Sequence, residues 1–201
     1  KGMTRYNPPA GVTALRETIA ADAGRRRGMS ISPEQVVVGP GAKPLLFLPT
    51  LALVEPGDEV IYPNPGFPIY ESQILACGAV PVPLYLREAR DFAFDPAELE
   101  ARITPKTRLL ILNSPHNPTG GILTKKDLED IAAVLRRHPE VWIFADEIYS
   151  RLLYQGEFAS IASLPGMYER SIISDGASKT WAMTGWRIGF ASNPILAPQF
   201  V

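Results

Sequence analysis

The sequence is poor in the residues that build disulfides and most metal centres. It has one cysteine, Cys77, and two histidines, His116 and His138, in 201 residues. A single thiol excludes an internal disulfide and suits a reducing cytoplasm. With no histidine nearby in sequence, Cys77 reads as a small apolar residue rather than a nucleophile. His116 has only His138 to join it, so no metal is expected. Charge of one sign is also missing. Lys+Arg number 20 and Asp+Glu 21, a net charge of -1, which leaves no broad basic field for nucleic acid or membrane. The run Arg25-Arg26-Arg27 reads as the solvated end of a helix, where cations oppose the negative pole. No apolar run reaches membrane-spanning length, and the start does not resemble a signal peptide. Internal repeats, low-complexity tracts and clear linkers are absent. The ends, Lys1-Gly2-Met3 and the residues after Asn193-Pro194, look cut from something longer.

What is present is an alternation of strands and helices. Gly11 to Arg27 reads as a helix with Val12, Leu15 and Ile19 on one face and Gly28 as its stop. Val36 to Val38 is a short strand, followed by a turn and an apolar helix near Pro44 to Val54 that Pro49 should kink. Strands are expected at 59–62, 80–84, 109–112, 141–145, 171–174 and 187–191, and a helix at 68–76. Asp95 caps a helix over 96–102 with proline first. Thr124 and Asp127 make a capping box for a helix running to His138. This order predicts an α/β fold, a three-layer sandwich around a mostly parallel sheet, as one domain over residues 1–201. In such sheets ligands sit beyond the carboxyl ends of the strands.

Several chemically suggestive residues fall at those ends. Gly39-Pro40-Gly41-Ala42-Lys43 follows a strand and opens a helix, so its free N–H groups either bind a phosphate or simply turn the chain. A dinucleotide fingerprint fails because the third glycine is missing and Glu59 begins a strand rather than ending one. Val141 to Ala145 runs into Asp146-Glu147. A nucleotide triphosphatase reading needs a phosphate loop upstream, and none is there. Asp146 is either functional or the cap of a following helix. Asn113 to Gly120 holds two X–Pro bonds open to cis geometry. Asn117-Pro118-Thr119 is no glycosylation acceptor, because proline occupies its middle position. Phe67 and Trp181 are either core or stacking surfaces for a flat ligand. Ser174-Asp175-Gly176-Ala177-Ser178-Lys179 places a lysine in a small-residue turn after a strand, with Arg187 eight positions on. Such a lysine can form an imine with an aldehyde cofactor, whose phosphate the arginine can hold.

Together these residues resemble the fold type I pyridoxal-phosphate aminotransferases, class I/II, near the bacterial aspartate and aromatic branch. The matching segments are Arg5 to Gly11 with Leu15-Arg16, Glu55 to Val60, Asn113 to Gly120, Asp146 to Tyr149, Ser178-Lys179 and Met183 to Gly189. The resemblance implies the cofactor pyridoxal 5'-phosphate, with Lys179 as the Schiff-base lysine and proton carrier. It implies Asp146 as partner of the pyridinium nitrogen, and Tyr149 and Asn117 as donors to the ring's phenolic oxygen. Phe67 is similar to the aromatic on the ring face. Gly41, Ala42, Lys43 and Arg187 resemble the phosphate ligands. Tyr6 resembles the tyrosine that reaches the phosphate of a neighbouring subunit, implying a homodimer with a shared site.

The implied reaction moves an amino group from an amino acid to a 2-oxo acid by a ping-pong route in the cytoplasm. The same scaffold also hosts C–S lyases and decarboxylases, and cofactor-sensing domains of transcription regulators that bind without turnover. The pattern departs from the family at Gly176, where many relatives carry a phosphate-binding serine; Ser174 or Ser178 is the expected replacement. The family's small domain and its carboxylate-binding arginine are not in the sequence.

Overall fold

Short, near-continuous apolar runs, the pattern of strands covered on both faces, produce a seven-stranded sheet in the computed structural model, which describes residues 4–200. The strands are β1 (Val36–Pro40), β2 (Glu59–Asn64), β3 (Val80–Tyr85), β4 (Thr107–Asn113), β5 (Trp142–Asp146), β6 (Ser171–Gly176) and β7 (Ile188–Ser192). Their order is β1-β7-β6-β5-β4-β2-β3. Neighbours pair in parallel except β7, which is antiparallel to both β1 and β6. The helices are α1 (Thr13–Arg27), α2 (Ala42–Leu53), α3 (Ile69–Ala76), α4 (Pro96–Arg102), α5 (Lys125–Leu135) and the short α6 (Ala177–Thr180).

Side-chain alternation divides the core between the two faces of the sheet. Leu109, Ile111, Phe144 and Ile172 pack against α2 and α3 through Leu45, Leu46, Tyr70 and Ile74. Leu110, Leu112, Ile143 and Ala145 face the other way, against Leu99 of α4 and Leu128 and Ile131 of α5. On that second face Ile173 and Val36 meet Ala20 and Ala23 of α1. The expected three-layer α/β sandwich is what forms. None of the helices among the described residues is long and apolar enough to cross a membrane.

The differences from expectation have local causes. The buried stripe of α1 is Ala20, Ala23, Gly24 and Arg27, whereas Val12 is exposed. Small residues let this helix lie close to its neighbours, so the bulky residues do not mark its most buried line. Nor is the arginine run wholly solvated. Only Arg25 is exposed there, while Arg27 is buried and ion-paired to Glu147 and Asp175. The helix α2 starts at Ala42 and runs continuously through Pro49. α5 ends at Leu135 rather than His138, because Arg170 takes the Leu135 carbonyl at 2.9 Å and also reaches those of His138 and Val141. Arg187 lies outside β7, at φ 55° in a left-handed turn.

Gly24 provides a test of how closely the turn after α1 folds back on the helix, where the Met29 N–H bonds the Gly24 carbonyl at 3.0 Å. By helix propensity alone, alanine would stabilise this position by about 0.8–1 kcal/mol. An added Cβ would sit 2.7 Å from the Met29 carbonyl oxygen. Gly24→Ala is therefore expected to destabilise the protein by about 1–3 kcal/mol, measured by urea denaturation. A raised midpoint would contradict this packing.

Candidate active site

The parallel strands β4, β5 and β6 end at the same edge of the sheet. There Asn113 is in register with Asp146, and Asp146 with Ser174. Alternation along β5 turns Asp146 to the face that carries Phe144, toward α2 and α3. A cavity of about 380 Å³ opens at this edge. Its lining includes Ala42 and Lys43 at the start of α2, Phe67 and Tyr70, Asn117, Asp146, Tyr149, Lys179 and Arg187. Residues from five separate stretches of chain thus converge. Tyr6 does not join them and is fully exposed. Trp181 lies outside the cavity as well. It is half exposed, with the Arg151 guanidinium 5.4 Å from its ring, so of the two candidate stacking aromatics only Phe67 faces the site.

Asp146 is buried, and its carboxylate has two donors. The Tyr70 hydroxyl donates to Oδ2 at 2.7 Å, and the Ile148 N–H to Oδ1 at 3.3 Å. The expected alternative, a cap on a following helix, is not what forms: a turn and not a helix follows β5, and the Ile148 N–H bond is local to that turn. Burial pushes its pKa up to about 6, against the pull of Tyr70. Burial also raises Tyr70 and Tyr149, followed by the nearby Asp146 charge, which keeps both phenols protonated as donors. The ammonium of Lys179 stands 6.0 Å from the centre of the Tyr149 ring. Tyr70 also meets Phe67 edge-on, with centroids 5.9 Å apart.

Tyr70 is a site residue the sequence reading missed. Its signal was its place three residues after Phe67, in the first turn of α3. Asn113 was missed too. Its side chain donates to the Asp146 carbonyl at 2.9 Å and accepts from the Asn117 N–H at 2.9 Å. It thereby ties the Asn117 loop to the end of β5. Both X–Pro bonds of that loop are cis.

At the other end of the cavity, Gly41 precedes the first turn of α2 with φ 90°, a conformation glycine adopts without strain. Arg187 donates from Nη1 to the Thr184 carbonyl at 2.9 Å and from Nη2 to the Pro40 carbonyl at 3.3 Å. A Cβ on Gly41 would collide with the Arg187 guanidinium, and one on Gly189 with the Gly41 and Ala42 backbone. Two glycines thus clear a cradle in which the α2 N-terminus and a cation face one space, an arrangement suited to a phosphate.

Gly176 is also explained. A Cβ there would lie 2.8 Å from the Ile188 carbonyl oxygen, so a serine at this position would need β7 to shift. Of the expected replacements, Ser178 lines the cavity beside Lys179. Ser174 is in register with Asp146, hence at the carboxylate end, and its buried hydroxyl has no partner among the described residues.

A lysine, a buried carboxylate, an aromatic face, an unpartnered hydroxyl and an anion cradle fit an aldehyde-bearing ring with a phosphate tail. A larger groove of about 850 Å³ lies near Glu88, Phe92 and Lys125. It is open and has no buried carboxylate facing its lysine.

Comparisons with known proteins show the family. The family described as aminotransferase class I and II matches residues 1–194. An aspartate/prephenate aminotransferase of Cereibacter sphaeroides is 40% identical over 196 residues, covering 96% of this chain and 49% of that protein. An aromatic-amino-acid aminotransferase of Thermococcus litoralis is 41% identical, covering 96% and 50%. The solved aspartate aminotransferase of Thermus thermophilus with maleate superposes with TM-score 0.94 at 39% identity, over 99% of this chain and 51% of that one. The chain therefore spans about half the length of the relatives it matches. The cofactor of this family is pyridoxal phosphate. By sequence and by fold, the chain belongs to the class I and II aminotransferases.

Proposed function

We propose that this chain is the cofactor-binding part of a transaminase that moves an amino group from an amino acid to a 2-oxo acid. The observation that carries the reading is the convergence of Lys179, Asp146, Tyr149, Asn117 and Arg187 on one cavity. Pyridoxal phosphate supplies, when bound, an electron sink for the charge that develops at the substrate α-carbon. The chain's own residues hold it and move the proton. Lys179 Nζ would anchor the aldehyde carbon and, once the substrate amine has displaced it, would carry the proton from the substrate α-carbon to the cofactor carbon that bore the aldehyde. Asp146 keeps the ring nitrogen protonated by presenting a carboxylate in a dry site, where its charge acts strongly. Tyr70, donating to that carboxylate, favours its ionised form. Tyr149 and Asn117 serve the ring oxygen, Phe67 covers a ring face, and Gly41, Ala42, Lys43 and Arg187 hold the phosphate.

The named relatives are aspartate/prephenate, aromatic and arginine–pyruvate aminotransferases. That favours amino-group transfer over the lyase, decarboxylase and regulatory readings. We further propose a cytoplasmic homodimer. Tyr6, fully exposed and outside its own cavity, is the residue to reach the partner's phosphate site. A lone half-buried thiol at Cys77, its pKa raised by burial, suits that compartment.

Borohydride treatment of the full-length protein loaded with cofactor should fix the label on Lys179, read by peptide mapping. Lys179→Ala should lower kcat by at least about 10²-fold. A label elsewhere, or retained turnover, removes the assignment. Gly189→Ala should weaken cofactor binding by at least about tenfold, since its Cβ displaces the Gly41–Ala42 backbone; the dissociation constant measured by absorbance checks this.

A pH dependence follows for Asp146. Its folded pKa of about 6 lies above the ordinary 3.8. The contribution to stability is thus present below the unfolded value and lost as pH rises through the folded one. In the cofactor-free protein, Asp146→Asn should therefore gain on wild type by up to about 3 kcal/mol between about pH 4 and pH 8. The same substitution should weaken cofactor binding. Denaturant unfolding at the two pH values measures the first effect, and a gain of opposite sign would refute it.

A further inference from the structure

Behind the sheet, on the face away from the cavity, lies a buried ion cluster that the transfer chemistry does not use. Arg27 of α1 donates from Nε to Glu147 Oε2 at 2.6 Å and from Nη2 to Asp175 Oδ2 at 3.0 Å. The three side chains are 1%, 6% and 12% exposed. Their remaining valences are satisfied. Ser160 donates to Glu147 Oε1 at 2.6 Å, Ser150 to Asp175 Oδ2 at 3.1 Å, and the Gly176 N–H to Asp175 Oδ1 at 2.7 Å. Arg27 Nη1 reaches the Ala23 carbonyl at 3.3 Å.

The cluster is placed against the site rather than merely near it. Glu147 follows Asp146 in the chain. Asp175 follows Ser174, the register partner of Asp146, and precedes Lys179 by four residues. One guanidinium therefore clamps the two strand exits that carry the carboxylate and the lysine. It is also the direct counter-charge to two carboxylates that stand close behind a third. Both of those carboxylates act to disfavour ionisation of Asp146. Without Arg27 they would be buried and unpaired, and their field would fall on Asp146 uncompensated.

We propose that Arg27 is a positioning residue for the cofactor site: from the opposite face of the sheet it holds the ends of β5 and β6 together and offsets the field of Glu147 and Asp175 on Asp146. This rests on the transaminase reading for its consequence, but not for the coupling itself. The other groups that face these charges are accounted for. Tyr70 of α3, Tyr149 after β5 and Lys179 of α6 share the cavity with Asp146. Tyr168 lies within the field of Arg27. Arg26, the nearest other cation on α1, bonds the Ser150 carbonyl and lies 5.2 Å from the Phe158 ring. None of them ion-pairs with Glu147 or Asp175, so none replaces Arg27.

The test follows the Asp146 carboxyl by carbon NMR through a pH titration of the full-length, cofactor-free protein. Arg27→Gln should raise the titration midpoint by about one pH unit or more, a tenfold change in the ionisation equilibrium. Arg27→Lys, which keeps the charge, should stay near wild type. Arg27→Gln combined with Asp175→Asn should return toward it. In parallel, Arg27→Gln should weaken pyridoxal phosphate binding about tenfold near pH 6, with the deficit relative to wild type shrinking toward pH 9 as Asp146 ionises. An unmoved midpoint overturns the proposal. So does a binding deficit that is equal at every pH and not relieved by Asp175→Asn, the mark of a plain structural brace. If Arg27→Gln does not fold, Glu147→Gln reads the same coupling from the other side. It should lower the Asp146 midpoint, and an unmoved midpoint again overturns the proposal. If wild type binds no pyridoxal phosphate, the transaminase reading fails, while the carboxyl titration still decides the coupling.

Discussion

A carboxylate buried at the rim of a parallel sheet is the constraint on which the site depends. Asp146 is buried at the edge of the cavity, and burial opposes its charge. A hydroxyl from α3 and a backbone N–H stabilise the ionised form, yet the pKa still stands above the ordinary carboxylate range. Such a group is one that a facing positive charge would stabilise in its ionised form. The cavity thus has a buried carboxylate at one end and a guanidinium beside a helix start at the other.

Alternation of side chains explains how so much charge is accommodated. At the ends of β5 and β6, consecutive residues point to opposite faces. Asp146 and Ser174 turn to the cavity, and Asp175 turns to α1, where Glu147 joins it on Arg27. The acids are thus sorted between a working face and a bracing face only a strand's thickness apart. That proximity is why charges behind the sheet bear on the group in front of it.

The end of the cavity near Gly41 and Arg187 is shaped by closeness of backbone rather than by charge alone. Gly189 lets β7 lie against the Gly41–Ala42 turn, and Gly176 lets β6 lie against β7. Arg187 adopts a left-handed turn just before β7, a conformation uncommon for a side-chain-bearing residue and found often at functional sites. The turn sets its guanidinium beside the end of β1, where it bonds the Pro40 carbonyl. The same crowding suits glycine at position 176.

Much of this was legible in the order of residues. Short apolar runs between turns and caps such as Asp95 and Thr124 are local signals, and they located the strands and most helices to within a few residues. The lysine, the strand-end acid and the glycine-rich turn were visible because each chemistry demands its own residue types. What only the tertiary structure decided depends on contacts between distant segments. Tyr70 reaches Asp146 from 76 residues away, and Arg27 reaches Glu147 across 120 and Asp175 across 148. A tyrosine in an apolar helix and the last arginine of a basic run carry no local mark of such roles. Their partners are chosen by which helix covers which face of the sheet, and that is a property of packing, not of periodicity.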